Sequence, residues 1–288
     1  MHLLNALILG IVQGVTEFLP ISSSGHLSIA QNLFGLASES DVLFDTLLHL
    51  GTLVAVFAAY WEDIREMILE FFDLIRDLIH GTVPSSVPPA RRLILLVIVG
   101  TLPLFVILPF RHKIEELYNN TYFIGAALLV TGALLFACDR IRKGRKTEKS
   151  ATMLDVLVVG AGQAIATCPG ISRSGMTISA GCFRGFDRRF AVRFGFLLSI
   201  PAVIGANILQ IGDVIEAGGI DVKLIPAYLL GVAAAMISGY LSIRLVRLVA
   251  DKGKFGLFSY YCWFVGAATI VLSILKGMEL LPWLKTVV

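Results

Sequence analysis

Four stretches of this chain, 93–110, 122–137, 224–243 and 255–275, are apolar enough to cross a bilayer, and no other feature constrains the fold as strongly. A hydrocarbon core takes about 20 predominantly apolar residues per helix. Two further stretches, 42–60 and 190–209, contain a few polar positions but have the length to span. The composition agrees: 56% of the 288 residues are hydrophobic and 16% charged, against the roughly 25% charged residues of a soluble domain. The expected class is all-α, a polytopic membrane protein of about six transmembrane helices.

Two apolar stretches do not read as simple spans. Residues 3–34 are interrupted by Pro20-Ile-Ser-Ser-Ser-Gly-His26, and residues 153–183 by Pro169-Gly-Ile-Ser-Arg-Ser-Gly175. Irregular backbone at membrane depth is tolerated only when buried in protein or lining a wet cavity. Each stretch is therefore expected to form a re-entrant helical hairpin, over 3–35 and 152–185.

The two interruptions are related. Displacing the sequence by 150 positions sets Gly10 on Gly160, Gln13 on Gln163, and Ile21, Ser22, Ser24 and Gly25 on Ile171, Ser172, Ser174 and Gly175. The match continues to Phe44 on Phe194 and Leu47-Leu48 on Leu197-Leu198. This predicts an internal duplication, with repeats over 1–140 and 151–288 of a single membrane domain. The densest basic loop, Arg140, Arg142, Lys143, Arg145, Lys146 and Lys149, is expected to be cytoplasmic. Counting outward also places Arg91, Arg92, Arg184, Arg188, Arg189, Arg244 and Arg247 inside. Each half then holds a hairpin and three crossings, which makes an inverted-topology repeat whose hairpins meet near the midplane. Trp61–His80, where charged and apolar residues alternate at helical period, is expected to lie at the interface.

Glu17 is the one Asp, Glu, Lys or Arg before Glu39, and Arg173 the one between Asp155 and Arg184. A charge at the centre of a membrane helix costs at least ~2.5 kcal/mol, so each needs a partner or a task. A structural lock between the two would not explain their polar neighbours: Ser22, Ser23, Ser24, Gly25 and His26 in one break, and Ser172, Ser174 and Gly175 in the other. Small residues at a half-helix start present N–H groups and a positive dipole end to an anion. An arginine beside them suits a phosphoryl group. Ser23 or Ser24 supplies a candidate nucleophile with Glu17 or His26 as base or acid, although capping is the alternative for any single serine. Gln13, one helical turn before Glu17, either orients the carboxylate or adds an oxygen to a cation site. Asp45 and His49 show the same spacing and are read as hydrogen-bonding or capping groups within the helices. The four cysteines, Cys138, Cys168, Cys182 and Cys262, are far apart and read as buried small hydrophobes. No Walker loop or His-Glu-x-x-His motif is present, and no basic helix with interleaved aromatics argues for nucleic acid.

The run Gln13-x-x-x-Glu17-Phe-Leu-Pro-Ile-Ser-Ser-Ser-Gly-His26 resembles the first motif of the bacterial undecaprenyl-diphosphate phosphatases of the bacitracin-resistance type, and Pro169-Gly-Ile-Ser-Arg173-Ser-Gly175 resembles their second. The resemblance covers the whole chain. It implies an integral plasma (inner) membrane enzyme that removes the terminal phosphate of undecaprenyl diphosphate. That recycles the lipid carrier for peptidoglycan synthesis and confers bacitracin resistance. By position, Glu17, Ser23, His26 and Arg173 match the family's functional residues, and Gln13 matches its first acidic-or-amide position. A divalent cation, Mg²⁺ or Ca²⁺, is implied, with Glu17 and Gln13 as candidate ligands, and a site open to the outer face. Ser22, Ser24, Gly25, Ser172, Ser174 and Gly175 are the candidate phosphate-binding positions. The nucleophile is left as Ser23, His26 or water. The expected partners are a polyprenyl diphosphate and membrane lipid, with the assembly state left between monomer and homodimer. The competing class is a secondary transporter or lipid flippase, since inverted repeats with broken helices also build those folds.

Overall fold

A computed structural model describes residues 2–34, 42–81, 87–216 and 222–278. Pro84 and Asp221 lie outside them. The protein is a helical membrane bundle. Apolar helices long enough to span occupy Pro89–Asn119, Thr121–Arg140, Arg188–Gln210, Val222–Lys252 and Gly256–Gly277. A sixth apolar helix, α3 (Val42–Ala59), bends by 85° into α4 (Trp61–His80). The crossing segments contain α5 (Pro89–Ile107), α6 (Arg111–Glu116), α7 (Thr121–Arg140), α10 (Arg188–Glu216), α11 (Ile225–Lys252) and α12 (Gly256–Gly277).

Both interrupted stretches are pairs of short helices. The first is α1 (Leu3–Phe18) and α2 (Ser23–Phe34); the second is α8 (Met153–Ile165) and α9 (Arg173–Phe183). At 11–16 residues, none of these half-helices reaches across a ~30 Å core at 1.5 Å per residue.

Close packing follows the small residues. Gly10 of α1 meets Gly231 of α11 so tightly that a methyl there would lie 2.3 Å from the Gly231 carbonyl oxygen. Gly160 of α8 meets Gly100 of α5 in the same way, at 2.0 Å. Gly10 and Gly160 are partners in the 150-residue displacement, and each anchors its half-helix to a span of the other half. This suits a bilayer, where helices associate through backbone approach rather than water exclusion. α7 and α12 pack on each other through Gly125 and Gly266.

The perpendicular α4 keeps Ile64 buried while Ile68, Leu69, Phe72, Ile75, Leu78 and Ile79 stay exposed, an apolar stripe for the interface. Arg91 ties α4 to α5 through Glu70 (2.6 Å) and Asp77 (2.8 Å).

The basic clusters converge at one end. Arg92 donates to the carbonyls of Glu148 and Ala151. Lys146 and Arg184 both pair with the buried Asp155 at 2.8 Å, which closes a capping box with Thr152 at the start of α8. Arg189 pairs with Asp251, and Arg193 with Asp63 and Glu148.

Candidate active site

The site is built where the two breaks dock. After α1, the chain turns through Leu19–Ser22, and Ser22 takes a left-handed φ of 73°. The Ser22 hydroxyl accepts the Gly25 N–H at 3.2 Å and so caps α2. In the second break the Ser172 hydroxyl accepts the Gly175 N–H at 3.1 Å and caps α9. The correspondence extends to side chains: Ser22 and Ser24 hydroxyls lie 3.3 Å apart, and those of Ser172 and Ser174 3.2 Å apart.

The breaks also touch reciprocally. A methyl on Gly25 would sit 3.1 Å from Gly170 Cα, and one on Gly175 3.4 Å from Pro20 Cβ. Ser174 donates to the Leu19 carbonyl at 3.2 Å. Neighbouring spans hold the turns in place. Thr131 of α7 donates to the Gly170 carbonyl (3.2 Å) and accepts the Ser172 N–H (3.1 Å). Cys262 of α12 points its thiol at the Pro20 carbonyl, 3.7 Å away.

Glu17 lies at the centre, its side chain only 5% exposed. One carboxylate oxygen, Oε2, accepts the Ser23 hydroxyl at 2.6 Å and the Gln13 amide at 3.1 Å. The other, Oε1, accepts the Arg173 guanidinium. Ser23 and Arg173 lie 150 positions apart, each at the first residue of its half-helix, and Glu17 bridges them. The residue 150 positions after Glu17 is Thr167, so the matched displacement carries a single carboxylate.

Burial sorts the candidates. Ser22, Ser172 and Ser174 are buried, with hydroxyls directed at backbone or at each other. Ser23, Ser24, His26 and Arg173 are half-buried and accessible. What the buried serines contribute is two capped helix starts; the N–H groups of the first turns belong to the helix ends that favour anions.

His26 is bonded at both nitrogens: Nδ1 lies 2.7 Å from the Ser22 carbonyl oxygen and Nε2 2.8 Å from the Tyr261 hydroxyl. The Tyr118 hydroxyl hydrogen-bonds Ser24. Neither tyrosine was readable as a site residue in the sequence, because an aromatic within or beside an apolar span looks like packing. His49 bonds the Asp45 carbonyl within its own helix at 2.8 Å.

Gln13 is fully buried, and its Oε1 has no hydrogen-bond partner. A buried amide oxygen beside a carboxylate fits a hard cation with oxygen ligands. Among the described residues there is no cluster of three or more His, Cys, Asp or Glu that would hold a metal without help.

A cavity of about 610 Å³ lies elsewhere, lined by residues that include Tyr60, Asp63, Arg189, Arg193, Arg247 and Asp251. Arg189 and Arg193 face carboxylates, while Arg247 donates to the Ala59 carbonyl and lies over the Tyr60 ring; the rings of Tyr60, Phe196 and Phe18 pack in series, 6.0 and 5.5 Å apart, toward the Glu17 turn. It contains none of the paired-motif residues.

The profile of the family described as bacitracin resistance protein BacA matches residues 6–268. The chain belongs to this family. Similar curated members of the BacA family are the undecaprenyl-diphosphatase of Alkaliphilus metalliredigens, 43% identical over 94% of this chain and 98% of that protein, and that of Methanosphaera stadtmanae, 42% identical over 95% and 99%. A third, the undecaprenyl-diphosphatase of Carboxydothermus hydrogenoformans, is 41% identical over 95% of this chain and 98% of its own length. Family membership thus spans both breaks and the helices that clamp them.

Proposed function

We propose that the docked breaks hydrolyse the terminal phosphate of a polyprenyl diphosphate, giving the lipid monophosphate and inorganic phosphate. The chain is an undecaprenyl-diphosphatase, as its relatives are by name. The observation that carries the site assignment is the single carboxylate shared by a hydroxyl and a guanidinium from opposite breaks.

The geometry suggests an order of events. Arg173 is 24% exposed and Glu17 5%, so an arriving phosphate meets the guanidinium first. Binding phosphate oxygens draws Arg173 away from Glu17 Oε1, which makes the carboxylate more basic at the moment a base is needed. Ser23, already donating to Oε2, then transfers its proton to Glu17 as Oγ attacks the terminal phosphorus. The anhydride P–O bond breaks, and the leaving prenyl monophosphate takes that proton from Glu17. The regenerated carboxylate then draws a proton from water, whose oxygen attacks the phosphoserine phosphorus; the bond to Ser23 Oγ breaks, Oγ regains a proton and inorganic phosphate leaves. Arg173 and the N–H groups at the two helix starts stabilise the charge on the phosphoryl oxygens. His26 moves the second proton. Direct attack by water activated by Glu17, or attack by His26, uses the same constellation; the first leaves no phosphoenzyme, and the second phosphorylates His26 instead of Ser23.

A divalent cation, Mg²⁺ or Ca²⁺, would be held by Glu17 and the Gln13 Oε1 with substrate oxygens, and would neutralise diphosphate charge when bound. The reciprocal packing of α1 on α11 and α8 on α5, with the matched serine caps, supports reading residues 1–140 and 151–288 as inverted repeats. The end where the basic clusters meet is read as cytoplasmic, in the plasma (inner) membrane, with the site opening outward.

The competing reading is transport. Purified protein in detergent separates the two, since no compartments exist there. Release of inorganic phosphate from undecaprenyl diphosphate supports hydrolysis, and binding without release would overturn it.

A further inference from the structure

Tyr261 has no part in the scheme above, yet its hydroxyl reaches the His26 Nε2 from the last helix, 235 residues away in sequence. The two rings are nearly parallel, with an interplanar angle of 9° and centroids 5.6 Å apart. On the opposite edge, the Ser22 carbonyl can only accept, so His26 Nδ1 carries a proton. In the neutral ring, Nε2 is then the basic nitrogen and receives the tyrosine O–H. The Ser22 carbonyl, one helical turn before His26, accepts both the His26 backbone N–H at 3.2 Å and the ring. α12 is fixed against the same turn by the adjacent Cys262, whose thiol points to Pro20 O. The imidazole is therefore held from both edges by two separate elements.

We infer that Tyr261 is a positioning residue for the reaction, holding His26 in the Nδ1–H tautomer with Nε2 as its proton-accepting atom. This rests on reading His26 as a proton-transfer group. Carbonyl and phenol act as the two orienting partners that a catalytic histidine needs, in the place a carboxylate takes in other sites. The phenol is 42% exposed, so it can yield Nε2 to substrate or water without unpacking the core.

Tyr261→Phe keeps the ring and removes one oxygen. The expected result is a fall in kcat of about tenfold, the scale of one net hydrogen bond, with KM within twofold and an unchanged Tm. In protein labelled with ¹⁵N-histidine, the His26 signals, assigned by their loss in His26→Gln, should show the Nδ1-protonated pattern in both proteins, because the Ser22 carbonyl remains, with the Nε2 signal shifted in Tyr261→Phe by loss of the O–H donor. Parent kcat, or an Nε2 signal identical in the two proteins, overturns the inference. A His26→Gln enzyme that hydrolyses at the parent rate instead removes the underlying reading of His26, whatever Tyr261→Phe does.

Discussion

Replacing Arg173 with alanine separates a lock from a catalytic pair. In the parent, Glu17 Oε1 is bonded by Arg173, while Oε2 keeps Ser23 and Gln13. Arg173→Ala leaves a carboxylate that is 5% exposed without its counter-charge. Breaking a fully buried pair costs about 3–5 kcal/mol. The 24% exposure of the arginine and the two bonds left on Oε2 bring the expected loss to about 2–3 kcal/mol. That corresponds to a fall in Tm of about 3–5 °C in detergent, using the usual scaling for chains of this size. Activity should fall further than stability, by about 10²–10³, the scale for removing one group that stabilises transition-state charge. The double variant Glu17→Gln/Arg173→Ala removes the buried charge as well. Its stability should return to within about 1 kcal/mol of the parent, while phosphate release stays absent. Thermal unfolding followed by tryptophan fluorescence, with a phosphate-release assay on the same preparations, reads both quantities. A double variant that recovers rate together with stability would refute the reasoning and leave the pair as a hairpin lock.

Gly160→Ala drives a methyl against the Gly100 carbonyl of α5 and should cost about 1–3 kcal/mol; Gly205→Ala, with open space around it, should be neutral or gain up to about 1 kcal/mol of helix propensity by the same melting assay. Ser23→Ala should abolish phosphate release and any acid-stable serine phosphate, whereas Ser24→Ala, whose hydroxyl bonds Tyr118 and Ser22, should slow release by about tenfold or less. Asp155→Asn loses pairing to Lys146 and Arg184 and should lower stability by about 1–2 kcal/mol with kcat unchanged, since both partners are over a third exposed or nearly so. Chelation with EDTA should suppress turnover, and added Mg²⁺ or Ca²⁺ should restore it.

The broken hairpins were legible because a Pro-x-Ser-rich insertion in an apolar stretch leaves few alternatives at membrane depth. α4 was legible from charges at helical period, and its observed bounds, Trp61–His80, are those the pattern gave. That Glu17 and Arg173 belong together followed from two isolated charges and an internal displacement, whereas their direct ion pair is what the sequence offers only as the competing structural lock. Sequence could not say which serines were caps: Ser22 and Ser24 have the same composition around them, and only the turn geometry directs the first at backbone. Nor could it find Tyr261, Tyr118 or Thr131. These act through contacts made across 39 to 235 positions of sequence, and a Tyr or Thr on an apolar helix carries no mark of which face it serves. Gln13 was read as either orienting Glu17 or adding an oxygen to a cation site; its amide nitrogen bonds the carboxylate and its oxygen stays unpaired, so the two roles occupy opposite ends of one side chain.

The central claim is that one phosphoryl site is assembled from both breaks. Orthovanadate, bound to the purified protein and located crystallographically, tests it most directly. The account predicts vanadium between the hairpins, within about 2–3.5 Å of Ser23 Oγ and in contact with Arg173. Vanadate seated instead in the cavity lined by Arg189, Arg193 and Arg247, with nothing between Glu17, Ser23 and Arg173, would contradict it.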